Sequence, residues 1–131
     1  MHAPLNPSLA VDFCGLRLAS PIVLLSGCVG FGEEYPRVAR FSNRDVGAIV
    51  LKGTTREPRL GNPAHRVYET PMGMLNAIGL QNPGAAYVID QILPTLDFTE
   101  TAFFANVCGS TIEDYVEVTR RFDESPIDAI E

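Results

Sequence analysis

Lys52 is the only lysine in the sequence; the other nine basic residues are arginines. It follows the apolar run Gly47-Ala48-Ile49-Val50-Leu51 and precedes Gly53-Thr54-Thr55, so it stands where a buried strand turns into a loop. Two further apolar runs end in the same way. Ile22-Val23-Leu24-Leu25 closes on Ser26-Gly27, and Ala102-Phe103-Phe104-Ala105 closes on Asn106, with Gly109 close behind. In sheets of parallel strands, chemistry collects at the carboxyl ends of the strands. Glycine there lets a ligand approach the backbone, while the polar side chain supplies a hydrogen-bonding group. An amine, a hydroxyl and an amide at three strand ends are read as one ligand-facing rim. At its mouth the Lys52 ammonium would hold an anionic substrate or stabilise negative charge on a cofactor ring.

The second signal is residues 69–84, Glu69-Thr70-Pro71-Met72-Gly73-Met74-Leu75-Asn76-Ala77-Ile78-Gly79-Leu80-Gln81-Asn82-Pro83-Gly84. Asn76 and Asn82 offer amide donors and acceptors together, which suits a planar ring with alternating N–H and C=O groups. Met72, Met74 and Leu75 would wall such a ring. The same composition also describes a packed loop whose asparagines cap turns. Other chemistries lack their spacing. Ser26 is outside any Gly-x-Ser-x-Gly elbow, Gly30-Phe31-Gly32 is too short for a dinucleotide fingerprint, and there is no Walker motif. His65 has no Cys or carboxylate at metal-ligand spacing, so no metal is expected. Cys28 and Cys108, at strand ends, read as small buried apolar residues rather than nucleophiles or bases.

The elements that must position these residues follow from periodicity. Leu9-Ala10-Val11-Asp12-Phe13 and Leu16-Arg17-Leu18 flank Cys14-Gly15 as a short hairpin. The runs 22–25, 47–51 and 102–105 are continuous and apolar, which predicts strands buried on both faces. A helix is expected from Glu33, with Tyr35, Val38 and Ala39 as its stripe and Pro36 tolerated in its first turn. Residues 53–83 form a long connection, functional rather than disordered because it carries Met72, Met74, Leu75, Ile78 and Leu80. A helix from Gly84 to about Leu96 places Val88, Ile92 and Leu96 on one side, with Pro94 cutting it short. Ser110 and Glu113 read as a capping box for a helix facing inward through Ile112, Tyr115, Val116, Thr119 and Phe122. Ile127-Asp128-Ala129-Ile130 begins a fourth strand.

A β-α-β-α-β-α-β order with buried strands is α/β with a parallel sheet. The sheet is either doubly wound and open or part of a (β/α)8 barrel, which needs eight units and about 250 residues. With three βα units, a leading hairpin and the start of strand four, residues 1–131 read as a single domain, the N-terminal part of a TIM barrel truncated at its C-terminus. The chain has 131 residues, 46% apolar, with ten basic against sixteen acidic side chains and a net charge of −6. Such a balance suits a folded domain and leaves no basic run for nucleic acid. No run approaches the ~20 apolar residues of a membrane span. Met1-His2-Ala3-Pro4-Leu5-Asn6-Pro7 lacks the basic-then-apolar order of a secretory signal, and three cysteines without framework spacing indicate a reducing compartment, by default the cytoplasm.

Four stretches together carry a resemblance. They are 26–35 (Ser26-Gly27-Cys28-Val29-Gly30-Phe31-Gly32-Glu33-Glu34-Tyr35), 52–63 (Lys52-Gly53-Thr54-Thr55-Arg56-Glu57-Pro58-Arg59-Leu60-Gly61-Asn62-Pro63), 70–84 and Ala105-Asn106-Val107. The chain resembles dihydroorotate dehydrogenase over essentially its whole length, and within that family the NAD-linked class 1B catalytic subunits. The resemblance implies an FMN-containing (β/α)8 barrel that oxidises dihydroorotate to orotate in pyrimidine biosynthesis. By position it implies FMN contacts from Ser26, Lys52, Gly53 and Asn106. It places Lys52 between flavin and substrate as the charge-stabilising catalytic residue. The orotate pocket would be lined by Lys52, Asn76, Ala77, Ile78, Gly79, Leu80 and Asn106. It further implies a partner subunit carrying FAD and a 2Fe–2S cluster, with NAD as acceptor, in a homo-oligomer or heterotetramer.

In that family a cysteine acts as general base, on a loop after the fourth strand, and phosphate loops follow strands seven and eight. Neither lies within residues 1–131, so this stretch alone is expected neither to hold FMN tightly nor to turn over. Two alternatives stand beside this reading: a related FMN barrel that reduces a pyrimidine, as in dihydropyrimidine dehydrogenase, and a non-catalytic truncated remnant.

Overall fold

The computed structural model describes residues 9–38 and 40–131. The first strands of the described residues form a hairpin, β1 (Val11–Phe13) against β2 (Leu16–Leu18), turning through Cys14 and Gly15 at positive φ. Four strands then form one parallel sheet in the order β3-β4-β7-β8: β3 (Val23–Leu24), β4 (Ala48–Val50), β7 (Ala102–Ala105) and β8 (Ala129–Ile130). The pairing of β4 with β7 sets Ala48 opposite Ala102, Ile49 opposite Phe103 and Val50 opposite Phe104. Because side chains alternate along a strand, this register sorts them into two faces.

One face carries Ile49, Leu51, Phe103 and Ala105, all buried. Against it pack Val88, Ile92 and Leu93 from a helical segment, and Val118 and Phe122 from α2 (Ile112–Asp123). The opposite face carries Ala48, Val50, Ala102 and Phe104, covered by Leu18 of the hairpin; Phe13 stacks on Phe104 at 6.3 Å between ring centroids. The hairpin thus closes this face over the length of β4 and β7 up to Val50 and Phe104.

The helical segment begins as α1 (Ala85–Tyr87), widens into a π turn (Val88–Ile92) and tightens into a 3₁₀ turn (Leu93–Thr95). Pro94 lies in that last turn and cannot donate to an earlier carbonyl, and the segment ends in extended backbone at Leu96. The α2 cap is formed by Thr111 and Asp114, one residue beyond the expected Ser110 and Glu113. Hydrogen bonds from Ser110 and Thr111 hold the Asp114 carboxyl below its ordinary pKa.

Several expectations need correction. The run 22–25 is half-buried, with Ile22 and Leu25 exposed: among the described residues β3 pairs with β4 alone, so one side of it has no covering strand. After Glu33 there is only a 3₁₀ turn, Tyr35–Arg37. Its chain leaves in extended backbone at Val38, so no apolar stripe forms, and Ala39 lies outside the described residues. Tyr35 packs edge-on against Phe41 instead. The connection 53–83 contains a second hairpin, β5 (Val67–Thr70) with β6 (Gly73–Asn76). On α2 the residues Ile112, Tyr115, Val116 and Thr119 face outward, and the core takes Val118 and Phe122, one turn apart.

Phe103 anchors the helix-covered face. It is fully buried, meets Phe98 edge-on at 5.2 Å, and leaves Gly32 no room for a side chain: a Cβ there would approach its ring to 2.8 Å. Phe103→Ala should lower unfolding free energy by about 3–5 kcal/mol, read from the urea midpoint. A change under about 1 kcal/mol would show that this ring does not hold the sheet to its helices.

Candidate functional site

The alternation that buries Ala48 and Val50 carries on past β4 to Lys52, and that of Ala102 and Phe104 to Asn106. The strands are parallel, so both residues leave the sheet at the same end. The ladder continues beyond the strands. The Leu51 amide donates to the Phe104 carbonyl at 2.8 Å, the Thr54 amide to the Asn106 carbonyl at 2.9 Å, and the Cys108 amide to the Thr54 carbonyl at 2.9 Å. Lys52 is therefore fixed by main-chain bonds on either side, and its own amide donates to the Gly30 carbonyl at 2.7 Å. A Cβ built on Gly27 would lie 4.0 Å from the Lys52 Nζ, which sets the ammonium beside the backbone that follows Ser26.

Asn106 has a preset amide. Its Nδ2 donates to Glu131 Oε2 at 2.6 Å, and its Oδ1 accepts from the Cys108 thiol at 3.2 Å. Gly53 lies in the middle of this group: a side chain there would meet Asn106 Oδ1 at 2.7 Å, Cys108 Sγ at 3.0 Å and Leu80 Cδ1 at 3.0 Å. The absence of a Cβ is thus what lets Leu80, Asn106 and Cys108 close around one point. Burial pushes the Cys108 thiol pKa up, and the Glu131 carboxylate adds to this. The Lys52 and Arg59 cations oppose it. Cys28 is exposed, against the expectation of a buried residue: it stands in the loop after β3.

The two asparagines of residues 69–84 have opposite surroundings. Asn82 is buried and spends its amide within the protein. Its Oδ1 accepts from the Thr55 and Gly84 amides at 3.1 and 3.0 Å, and its Nδ2 donates to Thr55 Oγ1 at 3.0 Å and to the Leu80 carbonyl at 2.9 Å. It caps the turn and has no group to offer a ring. Asn76 ends β6 and is exposed. Met72, Met74 and Leu75 are exposed on the same hairpin, Met72 at 97%, so they form no closed apolar wall among the described residues.

Between the two asparagines, residues 77–81 are held mainly by their main chain. The Ala77 amide donates to the Arg66 carbonyl at 2.8 Å, and the Asn62 amide donates to the Ile78 carbonyl at 3.0 Å. The guanidinium of Arg66 donates to Gln81 Oε1 and to the Asn62 carbonyl. Leu80 takes a left-handed backbone, φ 53°, as its side chain turns onto Gly53. Sequence reasoning missed Asn62, Arg66 and Glu131. Asn62 and Arg66 lie in a stretch whose composition reads only as loop, and their role is visible only in the pairing. A cleft of about 400 Å³ runs from Gly30, Phe31 and Glu34 past Lys52 to Arg59 and Gln81. Among the described residues no group of His, Cys, Asp or Glu side chains could hold a metal ion, and no helix is long and apolar enough to cross a membrane.

Comparison with known proteins identifies the family and the fold. The family model described as dihydroorotate dehydrogenase matches residues 8–131. The chain is 54% identical over 119 residues to the protein of Geobacillus kaustophilus named dihydroorotate dehydrogenase B (NAD(+)), catalytic subunit, covering 90% of this chain and 37% of that one. A protein of the same name from Listeria welshimeri is 54% identical over 117 residues, 89% of this chain and 38% of that one. The chain thus spans a little over a third of the length of these relatives. Among solved structures, the dihydroorotate dehydrogenase of Eimeria tenella in complex with ferulenol superposes with a TM-score of 0.63 at 20% identity, over 88% of this chain and 34% of that one. The fold is that of the N-terminal part of a (β/α)8 barrel.

The convergence of Lys52 on Cys108 has a measurable sign. Burial and negative charge disfavour the thiolate, so alkylation of Cys108, followed by peptide mass spectrometry against pH, should reach half its limiting rate above the ordinary thiol range. Lys52→Met removes an opposing cation and should move that midpoint further upward. An unchanged midpoint would place the ammonium away from Cys108.

Proposed function

Because this chain belongs to the dihydroorotate dehydrogenase family, we propose that it forms the part of an FMN-dependent enzyme that faces flavin and pyrimidine during oxidation of dihydroorotate to orotate. The observation that carries the reading is the shared face and shared end of Lys52 and Asn106, with the Leu80 and Asn106 side chains both brought against Gly53. The donor set suits FMN. The Lys52 ammonium stands beside the open backbone of Gly27, and the Asn106 amide is already oriented by Glu131 and Cys108. FMN, when bound, accepts the hydride taken from the substrate.

The chain's own residues bind and orient. Ser26, Lys52, Gly53 and Asn106 would hold the cofactor, and Lys52 would also meet the substrate. Asn76 and residues 77–80 would hold the pyrimidine, whose alternating N–H and C=O edge matches a carboxamide and free main-chain groups. Lys52 places a fixed positive charge where negative charge develops, and a preorganised cation of this sort costs no reorganisation during the reaction. Cys108 is not read as the general base, since burial and Glu131 favour its neutral thiol.

The relatives' name implies a separate electron-transfer subunit, which we assign FAD, a 2Fe–2S cluster and NAD as final acceptor. A cytoplasmic setting accords with this role.

In the FMN-loaded holoenzyme containing this chain, Lys52→Ala should lower dihydroorotate turnover by roughly 10²–10³-fold while the circular dichroism spectrum and unfolding midpoint hold. Unchanged turnover would remove Lys52 from the mechanism. Uracil in place of dihydroorotate separates this reading from a dihydropyrimidine dehydrogenase-like one: turnover with the uracil pair alone would overturn it.

A further inference from the structure

We propose that Asn62 is the positioning residue of the pyrimidine pocket: one side chain and its amide grip three successive residues of the segment assigned to the substrate. The inference rests on the reading of residues 76–80 given above and adds to it a residue outside that segment.

Asn62 holds the segment by three separate means. Its Nδ2 donates to the Ala77 carbonyl at 2.9 Å, and its backbone N–H donates to the Ile78 carbonyl at 3.0 Å. Its side chain also fills the space above Gly79. A Cβ on Gly79 would lie 2.8 Å from the Asn62 backbone nitrogen and 2.9 Å from its side-chain Cγ, and Gly79 has a positive φ of 76°. Gly79 is therefore a glycine on two counts, backbone conformation and contact with Asn62. The grip is itself braced, because Arg66 donates to the Asn62 carbonyl at 3.1 Å and to Gln81.

Residues 77–79 need such a device. The hairpin before them is exposed on both strands, and a two-stranded hairpin alone is marginal in water. Asn82 anchors the far end through the Leu80 carbonyl, so without Asn62 the near end would be tied only through the Ala77 amide and the hairpin. By taking up the Ala77 and Ile78 carbonyls, Asn62 decides which main-chain groups remain free to meet a planar ring. Asn62 is exposed, so the protein does not depend on it for core packing.

The test uses the FMN-loaded holoenzyme and orotate as the probe. Asn62→Asp keeps the size of the side chain and replaces the donor to the Ala77 carbonyl by a second acceptor. Asn62→Ala removes the donor without adding charge and carries the test should the aspartate variant not fold. Orotate Kd by calorimetry should rise about tenfold, and the dihydroorotate KM should rise more than kcat falls. Flavin content and unfolding midpoint should stay at the unsubstituted values. An unchanged orotate Kd overturns the proposal. Loss of flavin or of folding in both variants overturns it as well, since Asn62 would then be a structural residue. If the unsubstituted holoenzyme itself fails to bind orotate, the assignment of the pocket falls and this inference with it. If Lys52→Ala abolishes turnover while both Asn62 variants bind orotate normally, only the inference falls.

Discussion

The structure depends on one constraint, the parallel register of β4 against β7. It pairs Ala48 with Ala102 and Val50 with Phe104, and two residues further on it brings Lys52 and Asn106 to the same face. A slip of one residue would turn Lys52 toward Val88, Ile92 and Phe122, placing an ammonium in an apolar layer. The register is fixed by the packing it creates. Ile49, Leu51 and Phe103 fill the helix-covered face, while Ala48, Val50, Ala102 and Phe104 close against Leu18 on the other. Core and site are thus consequences of the same alternation, and the polar residues emerge where the apolar pattern ends.

That alternation is also why much of the fold was legible in the sequence. Runs of five and four apolar residues at 47–51 and 102–105, each bounded by turn residues, suit strands covered on both faces, and both are buried strands. The run at 22–25 has the same composition but is paired on one side among the described residues, and neighbour number is not written in a strand's own residues. On α2 the spacing Ile112, Tyr115, Val116, Thr119 is a regular helical stripe, yet the core takes Val118 and Phe122. The helix carries more apolar surface than its neighbours cover within the described residues, and periodicity alone cannot choose between two adjacent stripes. At the capping site, Ser110-Thr111 followed by Glu113-Asp114 offers two frames of one motif, and the structure uses the second.

Within the site, side-chain type was a weaker guide than position. Asn76 and Asn82 are identical in chemistry and six residues apart. The second is consumed by Thr55, Gly84 and Leu80 because the chain must reverse there, between a buried strand end and the start of a helix. Strand ends were readable since their place follows from the pattern. The pairing of 61–66 with 77–81 was not, because it joins two loops through main-chain bonds and through Asn62 and Arg66 side chains whose partners are set only by the fold.

The choice of lysine at 52 in a chain that otherwise uses arginine follows from the same geometry. An ammonium is compact and delivers charge to a point, whereas a guanidinium is planar, has five donors and seeks bidentate partners. Here Nζ stands 4.0 Å from the place a Gly27 side chain would begin, with the Cys108 thiol near enough to sense the charge. A guanidinium in this position, broader and branched, would extend over the Gly27 backbone. That would fill the opening beside it. A compact cation leaves the opening free, and the glycine at 27 adds no side chain to it.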